Sequence, residues 1–262
     1  MSNPGPHAVC SGWQLLSADG ASPPLRCWWA RPAGDPPRAA VLVLPEVFGL
    51  NGWVRDVADR LAAAGYGALA LPIFARTAPE LDAAYDAAGL ALGRQHRDQV
   101  TADQFLDDAR RAVAWLQSRP GLEQRPIGCV GFCFGGHLAL LASTLPQVAA
   151  TCDFYGARVS TDRPGGGPPT LAVLPEVPGN LICFCGAEDP LMPPAEQEAI
   201  AAALAAEAER RPERTRRLVV APRAGHGYMC EARADFRPQA AAEGWTAMLE
   251  IFAASLKPPA PT

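Results

Sequence analysis

The sequence has no block of basic residues and no uninterrupted apolar run long enough to cross a bilayer. Without the first there is no electrostatic footprint for a nucleic-acid backbone or an anionic membrane surface. Without the second no segment would span a membrane as a helix. The opening MSNPGPHAVC lacks the positive start and apolar stretch of a secretory leader, so a cytoplasmic location is expected. Histidine is scarce, with four in 262 residues at positions 7, 96, 137 and 226, so chemistry that needs an imidazole has few candidates. No internal repeat is visible. A hydrophobic share of 49%, a charged share of 19% and a net charge of -4 suit one large α/β domain acting on a small molecule. Its core is expected over about 12–256, with a frayed Pro-rich tail at 257–262. The oligomeric state is not legible.

Cysteine, by contrast, is plentiful: eight, at 10, 27, 129, 133, 152, 183, 185 and 230. In a chain of this length with no leader they are expected to stay reduced, most of them as small core residues. Cys183 and Cys185 alternate onto one strand face with no second Cys or His pair nearby, so no metal site is expected there.

Strand-like runs recur at 13–17, 25–30, 40–46, 67–72, 127–132, 149–155, 180–186 and 217–222. From residue 40 onward most are apolar throughout, as strands covered on both faces are. Between them lie helical patterns: WVRDVADRLAAAG spaces Val54, Val57, Leu61 and Ala64 along one face before Gly65, and GWTAMLEIFAAS does the same with Trp245, Met248, Leu249 and Phe252. The alternation predicts a doubly wound, mostly parallel sheet flanked by helices. Two stretches interrupt it: an Ala-rich, weakly periodic helical segment at 76–100 and a Gly/Pro-dense excursion at 158–179. Leaving the carboxyl ends of strands, either could wall a pocket.

VGFCFGG, residues 130–136, sets a cysteine between Gly131 and Gly135 at a strand-to-helix junction. This is a G-x-C-x-G form of the nucleophile elbow, in which a tight turn lifts one side chain above the sheet and leaves no room for larger neighbours. The thiol then meets the positive end of a helix dipole, which suits a thiolate nucleophile better than a buried structural thiol. Partners should follow in the order acid, then histidine. Asp189 falls in AEDPLMPP after one strand and His226 in RAGHGY after the next. His226 would exchange the thiol proton and Asp189 would orient the imidazole. Asp153 and Glu188 compete as the acid, while His137, one turn after Cys133, is read as packing or capping. Glu46, in LPEVFG, puts a carboxylate at the end of a buried strand, where it needs a partner.

Together VLVLPEVFGLN, VGFCFGG, GAEDPLMP and AGHGYMCEAR resemble the dienelactone hydrolases, cysteine-dependent members of the α/β-hydrolase fold. The resemblance runs from about the first strand to the final helix. It implies a triad of Cys133, Asp189 and His226, and a role for Glu46 in removing the thiol proton when substrate binds. It also implies an oxyanion hole from the N–H groups of Val47 and Phe134, as the fold does. The activity implied is cleavage of a small-molecule ester or lactone without a cofactor. Where the best-known members carry a substrate-binding arginine four residues beyond the histidine, this chain has Cys230. Arg94, Arg97, Tyr228 and Arg233 are the remaining candidates for substrate contact. A broad carboxylesterase or thioesterase on the same triad, or a ligand-binding or redox-sensing protein without turnover, are the alternatives.

Overall fold

The apolar runs after residue 40 become the middle of a mixed eight-stranded sheet. The structure is a computed structural model and describes residues 7–257, so the expected tail falls almost wholly outside the described residues. The strands are β1 (Val9–Leu16), β2 (Leu25–Pro32), β3 (Ala40–Leu44), β4 (Gly67–Ala70), β5 (Ile127–Phe132), β6 (Val148–Phe154), β7 (Asn180–Gly186) and β8 (Arg216–Ala221). Their order is β1-β2-β4-β3-β5-β6-β7-β8, with β1, β2 and β4 paired antiparallel and all others parallel. Every residue of β3, β4 and β5 is buried, because helices cover both faces; the edge strand β8 exposes Arg217 and Val220.

The helices are α1 (Gly52–Ala63), α2 (Ala87–Arg97), α3 (Ala102–Gln117), α4 (Phe134–Ala142), α5 (Pro194–Arg210) and α6 (Pro238–Ser255). Asn51 starts α1 by accepting the Val54 N–H at 3.2 Å, and Val54, Val57 and Leu61 turn inward as their spacing requires. In α6 the buried positions are Gly244, Met248, Ile251 and Phe252, while Trp245 and Leu249 lie at the margin. Right-handed crossovers put α1 on one face and α3, α4 and α5 on the other, because the path from β3 to β4 runs opposite to that from β4 onward. Helix α6 joins α1, with Phe252 edge-on to Tyr66 at 6.0 Å.

That reversal makes the carboxyl ends of β3 and β5 a topological switch point, where a crevice opens. Both interrupting segments fold over it. In the first, only residues 87–97 are α-helical, with Asp86 capping through the Gly89 N–H at 2.7 Å. The preceding residues run as turns, tied down where the Ala83 N–H donates to the Phe48 carbonyl at 2.9 Å. The second is irregular until a 3-10 turn at Thr170–Glu176. All eight cysteines are free thiols.

Candidate active site

Cys133 sits between β5 and α4 with φ of +54°, a left-handed conformation that a non-glycine residue adopts at a cost of about 1–3 kcal/mol. Its neighbours enforce it. A Cβ on Gly131 would strike the Gly135 carbonyl, and one on Gly135 would strike the carbonyls of Leu44 and Pro45 on the adjacent strand. The Cys133 N–H donates to Phe154 at 2.9 Å and its carbonyl accepts from His137 at 3.1 Å, so the turn is pinned on both sides. The thiol is partly exposed to a cavity of about 860 Å³ that Val47, Phe134 and His226 also line.

The loops after β7 and β8 bring Asp189 and His226 together. His226 Nδ1–H donates to Asp189 Oδ2 at 2.8 Å, and the Leu191 N–H donates to Asp189 Oδ1 at 2.8 Å. Both carboxylate oxygens are thereby assigned, and the ring is left with Nε2 as its second site. Nε2 is buried with no hydrogen bond of good geometry. Burial alone would lower the His226 pKa. Negative charge at Cys133, then the hydrogen bond that the ring donates to Asp189, outweigh burial and push it up to about 10. The site thus sets an imidazole, oriented by a buried carboxylate, beside the Cys133 thiol at the cavity.

The competing residues do not reach His226 with a hydrogen bond among the described residues. Asp153 accepts the Gly156 N–H at 2.9 Å, and burial raises its pKa to about 7. Glu188 is exposed. His137 is buried with both nitrogens engaged, Nδ1 by the Ala157 carbonyl at 2.9 Å and Nε2 by Thr170 Oγ1 at 2.7 Å; burial pushes its pKa down to about 4 and keeps it neutral.

Glu46 is wholly buried, and its Oε1 accepts from Arg233 at 3.0 Å. Burial raises its pKa, opposed by the charges of Arg233 and His226. The Tyr85 hydroxyl adjoins the same carboxylate without completing a well-formed hydrogen bond. The charged partner that a carboxylate at the end of β3 requires is thus an arginine seven residues beyond His226. No hydrogen bond joins Glu46 to Cys133 among the described residues.

The Phe134 N–H, at the first position of α4, has no carbonyl within the helix to bond. The Val47 N–H has no backbone partner among the described residues. Gly93 on α2 lets that helix lie against the Val47 carbonyl, where any Cβ would clash, and so helps hold the loop in place. Arg94, Arg97 and Arg233 all line the cavity, Arg97 paired with Asp98 at 2.7 Å. Tyr228 does not line it. Past Gly227, with φ of +86°, the chain turns inward, leaving Tyr228 1% exposed and edge-on to Tyr155 at 5.5 Å. The sequence reading missed Arg163, which lines the cavity, and the buried Tyr155, whose ring stands edge-on 5.2 Å from the His226 ring. Arg163 had a signal in its Gly/Pro-dense segment; Tyr155 had none.

The model of the dienelactone hydrolase family matches residues 25–256. The chain belongs to this family. A relative from Synechocystis sp., provisionally named a carboxymethylenebutenolidase, is 35% identical over 217 residues, 83% of this chain and 86% of the relative. A protein from Bradyrhizobium sp., provisionally named a 2-oxo-3-(5-oxofuran-2-ylidene)propanoate lactonase, is 27% identical over 248 residues, 91% of this chain and 92% of its own. Among solved structures, a protein from Klebsiella pneumoniae, provisionally named a dienelactone hydrolase, superposes with a TM-score of 0.81 at 27% identity. It covers 94% of this chain and 99% of that one. Within this dienelactone hydrolase family member, Cys230 is wholly buried beside Tyr85 and Glu46 and offers no cation to the cavity.

Proposed function

We propose that this hydrolase, of the ester- and lactone-cleaving class, works by acyl transfer to Cys133. The observation that carries the reading is the alignment of Cys133, His226 and Asp189 along three strand ends that open into one cavity. The Cys133 thiolate attacks the scissile carbonyl carbon, and the oxyanion that forms accepts hydrogen bonds from the Val47 and Phe134 N–H groups. The tetrahedral centre collapses, the C–O bond breaks, and His226 Nε2–H protonates the departing alkoxide. With a lactone that alkoxide stays tethered to the acyl chain. Water, giving its proton to His226, then attacks the thioester and frees the acid and the thiol. Asp189 holds the Nδ1–H tautomer throughout. Glu46 assists removal of the Cys133 proton in this reading, supported by its burial and by its electrostatic attraction to His226.

No helix among the described residues is long and apolar enough to cross a membrane. The reading takes the sheet and its helices as one domain and places it in the cytoplasm; a single sheet carrying every site residue and eight free thiols support this.

Limited alkylation with iodoacetamide followed by peptide mapping tests the nucleophile. Cys10 is the more exposed thiol, yet Cys133 should be modified first and ester turnover should fall in step with it. Cys133→Ser should lose most activity. Faster labelling of Cys10 with activity surviving Cys133 modification would sink the assignment.

A further inference from the structure

The two edges of the sheet are not alike. At one edge β8 carries an exposed Arg217, a charge that discourages a second chain from pairing there. At the other, β1 has no charged residue and no proline over Val9–Leu16, and its register with β2 runs without a bulge. Nothing in the strand blunts its edge. Val9, Trp13 and Leu15, the last 62% exposed, are three of the six large hydrophobics exposed among the described residues. Alternation sets all three on one face.

The same residues carry the outward hydrogen-bonding groups. The Ala33 N–H donates to the Ala8 carbonyl at 2.7 Å, and Val9 lies opposite Pro32, which has no N–H to give. Bonded and unbonded positions alternate along an antiparallel pair, so the even residues of β1 bond to β2. Val9, Ser11, Trp13 and Leu15 therefore turn their N–H and C=O groups to the open edge. An added strand must pair odd residues with odd. A second copy related by a two-fold axis pairs these four among themselves only if the axis passes through Gly12. Val9 then meets the partner's Leu15, and Ser11 meets the partner's Trp13. Gly12 brings no side chain to the axis, where the strands approach closely, and the space above it is open.

Charge agrees with this register. Asp59 lies 3.2 Å from the Ser11 hydroxyl, while Arg26 and Arg55 lie 3.6 Å and 5.6 Å from the centre of the Trp13 ring, held there by Glu80 and Asp82. The axis sets the acidic end of one strand beside the basic end of the other. Helix α1 packs over β2 on this face, where Trp28 Nε1–H donates to Asp59 at 2.9 Å. Its two copies would stand three strand spacings apart, roughly 14 Å, and packed helices need only about 8–10 Å.

We propose that β1 is the seam of a two-fold dimer, in which it pairs antiparallel with β1 of a second copy about Gly12 and joins the two sheets into one. The cavity at Cys133 lies away from this edge, so turnover per chain does not depend on the seam.

Sedimentation equilibrium of the full chain reads the association, with a dimer expected at micromolar concentration. Ser11→Pro removes an outward N–H and puts a ring where the second strand must lie, yet spares the bonds between β1 and β2. Leu15→Lys sets a charge against the partner's Val9. Each change occurs twice in a symmetric dimer, and each should weaken association by about tenfold or more while ester turnover per chain stays the same. In a Cys10→Ser background, Gly12→Cys puts two thiols across the axis at a Cα separation of about 4.5 Å, and mild oxidation should link the copies. Ser11→Cys, whose counterpart lies two positions along, should stay unlinked. A monomeric parent protein, or a dimer that both Ser11→Pro and Leu15→Lys leave intact, would overturn the seam. Linking through Ser11→Cys in place of Gly12→Cys would overturn the register and the charge match that goes with it.

Discussion

Asp189→Asn should cripple turnover while leaving the fold intact, and the structure says by how much. The carboxylate accepts two hydrogen bonds at 2.8 Å, one from His226 Nδ1–H and one from the Leu191 N–H, and its side chain is wholly buried. An asparagine has only one oxygen to offer. If that oxygen faces Leu191, the amide NH2 faces the imidazole and forces Nδ1 to accept, moving the ring proton to Nε2, where it cannot receive the Cys133 proton. If the amide is flipped, a donor meets the Leu191 N–H in a buried place, at a cost of about 1–3 kcal/mol. In either orientation the negative charge that helps raise the His226 pKa is gone. Losing a charge-assisted hydrogen bond adds about 1.5–3 kcal/mol. The lost charge and the wrong tautomer correspond to a loss of about a hundred- to ten-thousandfold in kcat, within the range known for mis-oriented imidazole bases, and an unpaired Leu191 N–H would register in the melt instead. Stopped-flow kinetics with an activated aryl ester, alongside a thermal melt, would measure both consequences. A native melt with kcat within threefold of the parent protein would refute the assignment, and collapse in an Asp153 variant would move the acid there.

Two further outcomes follow from buried carboxyls. Glu46→Gln keeps an oxygen for Arg233 and removes the cost of burying a charge, so the melting temperature should shift by no more than a few degrees while the acylation burst slows roughly ten- to a thousandfold. An unchanged burst with a large loss of stability would make Glu46 a purely structural ion-pair partner. Asp153 is the second case: its pKa is raised by burial from 3.8 to about 7, so the stability it contributes is fully present below pH 3.8 and is lost as pH rises through about 7. At about 1.4 kcal/mol per pH unit, the stability of the parent protein relative to Asp153→Asn should fall by roughly 4 kcal/mol between pH 4 and 8. Urea denaturation at both pH values measures this, and a pH-independent difference would contradict it.

Periodicity and chain order alone determined the strands, the mostly parallel sheet and the elbow at Cys133. Apolar runs of strand length have one stable home, the doubly covered middle of a sheet. The G-x-C-x-G spacing meets a steric demand that Gly131 and Gly135 satisfy locally. The order of Cys133, Asp189 and His226 followed too, because each lies just past a strand of a parallel sheet and such ends gather at one edge. The segment at 76–100 was harder. Its small residues carry almost no amphipathic signal, and tertiary contacts decided that only residues 87–97 are α-helical, with Gly93 packed on the Val47 carbonyl. Tertiary structure also decided which charges are already matched. The partner of Glu46 is Arg233, 187 positions away in sequence. Tyr228 turns into the core although it stands two residues past His226. Arg94 and Arg163, 69 positions apart in sequence, line one cavity. Composition could count the arginines, but pairing depends on distances of a few ångströms between side chains from separate strand ends, and only the folded chain sets those.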